Sequence, residues 1–181
     1  TIAASAGTRT SLSGTNGVFD AVNGNGVQFG GVASDGQATG IWLAANTQVN
    51  VNGSNNGIFE GVGDSLGVYG GANIINVSAG SITALGNTNS AFDTVNGNNA
   101  QFGAVAANGQ GTGIFVNSNT QVNVNGSNNG INESVGDTVG VYGGANVVNL
   151  ATGTCTVLGA TNGSFDTIFG SGVGLGGAAA N

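Results

Sequence analysis

An internal repeat limits what this chain can fold into more than any other feature of its sequence. The segments GSNNGI at 53–58 and GVYGGAN at 67–73 return unchanged at 126–131 and 140–146, which sets a period of 73 in residue number. Repetition at a fixed period is typical of architectures in which one supersecondary unit stacks on the next. The chain is therefore predicted to be a repeat array.

Single residue types keep this period in five series, each of which advances in alternating long and short steps. The long step is 40, as from Phe19 to Phe59, and the short step is 33, as from Phe59 to Phe92. Such spacing predicts that the members of a series form structural columns along the array. The series are a first aromatic series (Phe19, Phe59, Phe92 and Phe165, with Asn132 in the remaining place), an asparagine series (Asn16, Asn56, Asn89, Asn129, Asn162), a second aromatic series (Phe29, Tyr69, Phe102, Tyr142, then Leu175), a glycine series (Gly30, Gly70, Gly103, Gly143, Gly176) and an aliphatic series (Val22, Val62, Val95, Val135, Ile168).

The local composition favours short strands over helices. The chain contains 37 glycines, and each glycine costs a helix about 1 kcal/mol relative to alanine. Between them stand short runs that are rich in β-branched and aromatic side chains, such as Ile41-Trp42-Leu43 and Ile114-Phe115-Val116. Asn-Gly pairs, as at 52–53 and 125–126, supply left-handed turn residues. This pattern predicts strands joined by sharp corners.

The repeat favours a parallel β-solenoid over an antiparallel β-prism or sandwich, which remains the alternative. Residues that recur in the same order stack most simply when each strand lies parallel on the strand one coil earlier. Each half of the period divides into two coils, which predicts about ten coils in a rod about 48 Å long. Val, Ile, Leu and Phe side chains would then stack inside, and asparagines would pair amide to amide at the corners.

Residues 1–181 are predicted to form a single array, with units at about 8–80 and 81–153 and a partial unit at 154–181. The long steps carry extra residues around Ala33 to Asn46 and Ala106 to Asn119, where a protruding loop or a wider coil is expected. Because the chain starts with Thr and stops inside a repeat, we expect a processed chain or a piece of a longer array.

Composition argues against several classes of function. The net charge is −7, with one basic side chain, Arg9, against eight carboxylates, and the chain has no His or Lys. Such a chain repels phosphate backbones, so nucleic acid is not an expected partner. It also lacks the bases used in most acid–base and nucleophilic catalysis, so no enzyme activity and no catalytic or cofactor-binding residue is predicted. No apolar run is long enough for a membrane helix.

The carboxylates are the only candidates for metal ligands. Asp20, Glu60, Asp93, Glu133 and Asp166 each follow the first aromatic series, so an inward aromatic would point them outward. Two coils of separation, about 9.6 Å, is too far for one calcium ion to bridge successive members. We therefore expect a solvated row of charge. Weak calcium candidates are Glu60 with Asp64 and Glu133 with Asp137, because GVGD at 61–64 loosely resembles the glycine-rich calcium nonapeptide of secreted toxins and proteases.

The remaining distinctive side chains are interpreted as structural. Cys155 stands one period after Ile82 and is predicted to be a small buried hydrophobe. Trp42 matches Phe115 and is predicted to be a core or groove-lining aromatic. An ice-binding solenoid is a minor alternative, since the threonines do not form the regular two-column array of such faces (Thr47, Thr83, Thr88, Thr94, Thr112, Thr120).

The array, with its short strands and Gly, Asn, Thr, Ala and Val composition, resembles the β-solenoid repeat regions of large secreted bacterial surface proteins. These include haemagglutinin-like adhesins, autotransporter passengers and extracellular filament or biofilm matrix proteins. The resemblance implies a structural or adhesive role outside the cell or at its surface, and it supplies no site residues.

The sequences at the two ends of the array indicate which partners to expect. Neither TIAASAG at the start nor GGAAAN at the end resembles a helical or charged cap, and an uncapped solenoid exposes unpaired strand edges. We therefore expect each end to meet further repeats or another copy, head to tail, which would build a fibre. The alternative is a calcium-dependent surface-layer or adhesin stalk.

Overall fold

A computed structural model describes residues 1–13, 18–86, 91–103, 106, 109–159 and 164–170. This part of the chain forms strands and connecting turns and contains no helix. The strands are short, as the runs between Gly and Asn predict. They are β1 (Ile2–Ala4), β2 (Arg9–Leu12), β3 (Asp20–Gly24), β4 (Gly40–Leu43), β5 (Gln48–Asn52), β6 (Gly57–Phe59), β7 (Ser65–Tyr69), β8 (Ile74–Asn76), β9 (Ile82–Gly86), β10 (Asp93–Asn96), β11 (Gly113–Val116), β12 (Gln121–Asn125), β13 (Gly130–Asn132), β14 (Thr138–Tyr142), β15 (Val147–Asn149), β16 (Cys155–Gly159) and β17 (Thr167–Phe169).

The strands alternate between two parallel sheets. The odd-numbered strands form a nine-stranded sheet in the order β1-β3-β5-β7-β9-β11-β13-β15-β17, and the even-numbered strands form an eight-stranded sheet from β2 to β16. Each coil thus contributes one strand to each sheet, and the described residues make about nine turns. The predicted all-β parallel solenoid is confirmed, and the antiparallel alternative is wrong for the paired strands, all of which are parallel.

The core lies between the sheets and consists of aliphatic columns. In the odd-numbered sheet Val22 pairs with Val51, Val51 with Val68, and Val68 with Leu85. All four side chains are buried. The predicted stacking of like aliphatic residues is confirmed, whereas the phenylalanines of the first aromatic series do not take part in it. A second column in the other sheet contains Ile41, Ile58, Ile75, Val95 and Val124.

The sequence period corresponds to three and a half coils, not four. Ile41 and Ile114 are one period apart, yet Ile41 lies in β4 of the even-numbered sheet and Ile114 in β11 of the odd-numbered sheet. The coils also differ in length, since those from Ile41 to Ile58 and from Ile58 to Ile75 are shorter than the coil from Ile75 to Val95. Equivalent positions of successive repeats therefore face opposite sides of the solenoid.

The long and short steps of the sequence are not structural units. Val22 is buried in β3, but Val62, one long step later, lies in a turn and is 61% exposed. The two steps together make the structural period. Neither step alone connects two positions with equivalent structural surroundings. The expectation that every member of the aliphatic series lies in the core is therefore wrong for Val62 and Val135, which are turn residues, and Ile168 in the last described strand is also exposed.

The expected loop is present, but it begins earlier than predicted. It runs between β3 and β4, over residues 25–39, and carries a small antiparallel bridge between Val32 and Ala38. Part of the predicted stretch forms strand β4 instead. Phe29 folds back from this loop onto the sheet, with its ring against Gly40 and Gly57.

Candidate functional site

The first corner of interest joins β6 to β7 and buries a glutamate in the core. Phe59 pairs with Trp42 in the preceding coil, so the next residue, Glu60, falls in a column of core residues that contains Leu43 and Val77. The side chain of Glu60 is fully buried. Strand geometry therefore places a carboxyl group where the neighbouring coils have aliphatic side chains.

Two hydroxyl groups surround this carboxyl group. The hydroxyl of Thr83 donates to Oε1 of Glu60 at 2.9 Å and lies 3.1 Å from Oε2. The hydroxyl of Ser81 donates to Oε2 at 3.0 Å. Burial, opposed by these hydrogen bonds, raises the pKa of Glu60 to about 8.

Asp64 stabilises the same corner by accepting hydrogen bonds from two backbone amides. Its Oδ1 accepts the amide of Thr47 in the preceding coil at 2.8 Å, and its Oδ2 accepts the amide of Gly61 at 2.6 Å. Burial raises the pKa of Asp64 to about 6 despite these two hydrogen bonds. The carboxylate therefore closes the turn and links two coils.

The corner recurs one period later on the opposite edge of the solenoid. Thr156 donates to both oxygens of Glu133 at 2.9 Å. Asp137 accepts the amides of Thr120 and Ser134 at 2.9 and 2.7 Å. Burial raises the pKa values of both Glu133 and Asp137. The same arrangement of one caged glutamate and one turn-closing aspartate is thus a property of the repeat.

These corners contain the weak calcium candidates of the sequence. The structure places the members of each pair, Glu60 with Asp64 and Glu133 with Asp137, close enough for their carboxyl groups to repel each other, which helps to raise the pKa of each glutamate. Across the described residues, no group of three or more acidic, His or Cys side chains is placed to hold a metal ion.

The expectation of an outward row of carboxylates is wrong for its central members. Glu60, Asp93 and Glu133 are buried, and Asp166 is partly buried, whereas Asp20 is exposed. Strand alternation holds, but its phase is the reverse of the prediction, because the aromatic residue lies on the outer face and the acid points inward. The exposed members of the first aromatic series are Phe19, Phe59, Phe92 and Phe165.

A second corner joins the odd-numbered sheet to the even-numbered one through a column of side-chain caps. Oδ1 of Asn56 accepts the amide of Val27 at 3.2 Å, and Oδ1 of Asn73 accepts the amide of Asn56 at 3.0 Å. Oδ1 of Asp93 then accepts the amide of Asn73 at 2.8 Å. The same column, one period later, is built from Asn129, Asn146 and Asp166.

The prediction for the asparagine series is only partly confirmed. Asn56 and Asn129 are buried at corners, but they cap backbone amides rather than pairing with each other's amides. Amide-to-amide pairs are made by other asparagines. At strand ends Asn52 donates to Asn23 at 3.0 Å and Asn125 donates to Asn96 at 2.9 Å, and at a corner Asn128 donates to Asn99 at 2.7 Å. The other members of the series, Asn16, Asn89 and Asn162, lie outside the described residues.

Aromatic side chains form a cluster on the outer face of the first repeat. Trp42 stacks on Phe59 with ring centroids 4.9 Å apart and meets Phe29 edge-on at 6.0 Å. The guanidinium of Arg9 lies 4.4 Å from the centre of the Trp42 ring. Trp42 is therefore a partly buried aromatic of the outer face rather than a core residue.

The second repeat carries a reduced version of this cluster. Asn132 stands where the first repeat has Phe59, and Phe115 meets Phe102 edge-on at 6.2 Å. The second aromatic series also lies on the surface, where Tyr69 and Tyr142 are 37% and 40% exposed. Its last member, Leu175, lies outside the described residues.

Two further sequence predictions concern single side chains. Cys155, predicted to be buried, is exposed on β16, because the strand pairs it with Thr138 and puts Thr156 in register with the core residue Val139. The threonines at 47, 83, 112 and 120 are buried, so they present no threonine face to ice, and Thr88 lies outside the described residues.

Comparisons with family models, with curated proteins and with solved structures gave no significant match. No helix able to cross a membrane occurs in the described ranges.

Proposed function

We propose that this chain is a structural repeat module of an extracellular bacterial fibre or fibrous adhesin, in which β-solenoid coils stack end to end. The observation that carries the proposal is the pair of continuous parallel sheets, whose outermost described strands each have a partner on one side only. Unpaired parallel strands are templates for a further strand. The partner is the next coil, from the same longer chain or from another copy.

The last described coil has the composition of an interior coil. The pairing of Val148 with Ile168 repeats the pairing of Ile2 with Val22 two periods earlier, in the same sheet. Val22 is fully buried under the next coil, but Ile168 is 40% exposed, and its neighbour Phe169 is also exposed. An added coil would cover this apolar edge, which supports stacking through the hydrophobic effect and through backbone hydrogen bonds.

The calcium-dependent stalk has less support as an alternative. Both oxygens of Asp64 and of Asp137 already accept backbone amides, and the neighbouring glutamates accept hydroxyl groups. An enzymatic role is not proposed, and the absence of catalysis stays a prediction from the sequence.

Electron microscopy of the purified chain at neutral pH tests the proposal. We expect long rods with an axial repeat of about 4.8 Å, unchanged by a calcium chelator. Ile168→Lys should shorten them, because the next coil would bury an unpaired charge. Val62→Lys adds the same charge at an exposed turn away from the edge and serves as the matched control.

Short monodisperse particles from the unmodified chain would contradict self-stacking of this segment. Rods that disappear on chelation would instead support the calcium-dependent stalk. Equal rod lengths for Ile168→Lys and Val62→Lys would show that the described edge is not the contact.

A further inference from the structure

Asp93 occupies a place that the two preceding coils fill with asparagine, Asn56 and Asn73. The Nδ2 of Asn73 donates to the carbonyls of Gly53 and Gly70, at 3.2 and 3.1 Å, while its Oδ1 accepts the amide of Asn56. In Asp93 the Oδ1 accepts the corresponding backbone amide at 2.8 Å and the side-chain amide of Asn73 at 3.2 Å, and the other atom of the group is Oδ2, which is buried and has no hydrogen-bond partner. The equivalent atom of Asn73 is a donor, and a carboxyl group supplies a donor at this place only when it is protonated.

Glu60 is a second interior carboxyl group without a compensating charge. It stands in an aliphatic column, fully buried, and its closest charged neighbour is the acidic Asp64. The single basic side chain of the sequence, Arg9, lies instead over an aromatic ring on the outer face.

The hydrogen-bond partners of Glu60 can serve a neutral acid as well as a carboxylate. Among the described residues, its side-chain partners are the hydroxyls of Ser81 and Thr83, and hydroxyls can both donate and accept. A neutral acid satisfies this cage, whereas burying an unpaired carboxylate is costly.

We propose that Glu60 and Asp93 stabilise two corners of this solenoid as neutral carboxylic acids. The fold is then more stable in mildly acidic surroundings and less stable in alkaline ones. Asp93 acts as an asparagine mimic in the cap column, and its neighbours in adjacent coils, Asn73 and Val122, do not titrate. Glu60 acts as an uncharged polar member of the core. The proposal concerns the fold itself and does not depend on fibre formation.

The direction of the pH dependence follows from linkage. Burial raises the pKa of Glu60 from 4.5 to about 8 and that of Asp93 from 3.8 to about 7. The contribution of both groups to stability is complete below about pH 4 and is lost as the pH rises to 7 and 8, because the unfolded chain releases protons that the folded chain retains. Each group should raise the unfolding equilibrium constant by up to tenfold per pH unit in this window.

Urea unfolding between pH 4.5 and pH 9 tests the proposal with three variants. Glu60→Gln and Asp93→Asn keep the shape of each side chain and remove its titration, so each should flatten the loss of stability at rising pH. Asp93→Asn should in addition stabilise the protein at pH 8 by at least tenfold in the unfolding constant. Asp20→Asn makes the same substitution one period earlier at an exposed position, and the loss of stability at rising pH should persist in this control.

Infrared spectroscopy of the folded protein gives a readout that does not require the variants to be equally stable. At pH 6 the parent chain should show the carbonyl band of a protonated carboxylic acid, which weakens in Glu60→Gln and in Asp93→Asn but not in Asp20→Asn. Absence of this band in the parent, or a stability that is equal at pH 5 and pH 8, would overturn the proposal. So would Glu60→Gln and Asp93→Asn variants that keep the pH slope of the parent.

Discussion

Thr83 places a hydroxyl in a core column whose neighbouring members, Leu66 and Ile114, are aliphatic. Because it is fully buried and bonds both oxygens of Glu60, Thr83→Val should leave the glutamate short of a partner and cost about 1–3 kcal/mol of unfolding free energy. Thr156→Val, at the equivalent place beside the less enclosed glutamate of the second repeat, should cost less. Chemical denaturation at pH 5 measures both.

Replacing both partners provides the control for this prediction. In the Thr83→Val background, Glu60→Leu should restore much of the loss, because an apolar pair leaves no unsatisfied group between Leu43 and Val77. If Thr83→Val and Thr156→Val were both neutral, the hydroxyl cage would have no energetic role.

The same residues show what sequence patterning can decide at this scale. Alternation at Phe59-Glu60 correctly separates an inward from an outward side chain, but the general rule that acids face water selects the wrong phase. The sequence signal for a buried carboxyl group is the pair of hydroxyls at Ser81 and Thr83. Thr83 lies in strand β9, whose residues are mostly buried, and Ser81 directly precedes this strand. No spacing rule connects them to Glu60, because the lengths of the intervening coil and turn decide which residues meet.

At the scale of single elements, each long loop is held against the sheet by a phenylalanine ring that packs over a glycine. The ring of Phe29 covers Gly57, and a Cβ there would lie within van der Waals overlap of both the ring and the Phe29 backbone. Gly57→Ala should therefore displace the loop and cost about 1–3 kcal/mol, measured by thermal unfolding. Gly111→Ala, where a Cβ meets nothing nearby, is the matched control and should be neutral.

A double variant separates a clash with the ring from a general need for glycine. With Phe29→Ala in place, Gly57→Ala should cost clearly less than it does in the parent chain, because the overlap with the ring is gone and only the overlap with the Phe29 backbone nitrogen remains. Additive costs would contradict packing of the ring on Gly57. The sequence predicted the existence of this loop and its approximate position. It did not predict the return of Phe29 to the sheet, because a series of aromatic residues does not reveal whether they point inward or cover an outer face.

At the scale of the whole molecule, the sequence pattern correctly predicted the parallel solenoid and its repeat but overestimated the number of coils. Dividing the long and the short step into two coils each gives four coils per period, whereas the long loops between β3 and β4 and between β10 and β11 absorb residues and leave three and a half. Loop length is invisible to a period count. The half coil has a large consequence, since it turns each successive repeat to the opposite side.

This alternation of faces decides which surface positions lie together. Val62 and Ala79 are exposed and one coil apart on the same edge, as the pairing of Ile58 with Ile75 requires. Val62 and Val135 are equivalent in sequence, but they lie on opposite edges, with an axial offset of about 17 Å from three and a half coil rises. Sequence equivalence and spatial proximity are therefore separate properties in this array.

Paired cysteines test this geometry directly. In a Cys155→Ser background, Val62→Cys with Ala79→Cys should form an intramolecular disulfide on mild oxidation, because adjacent parallel coils bring Cα atoms within its reach. Val62→Cys with Val135→Cys should form none, and spin labels there should give a long distance. A short label distance for the second pair would mean that whole repeats stack in phase, and the half-coil geometry would be wrong.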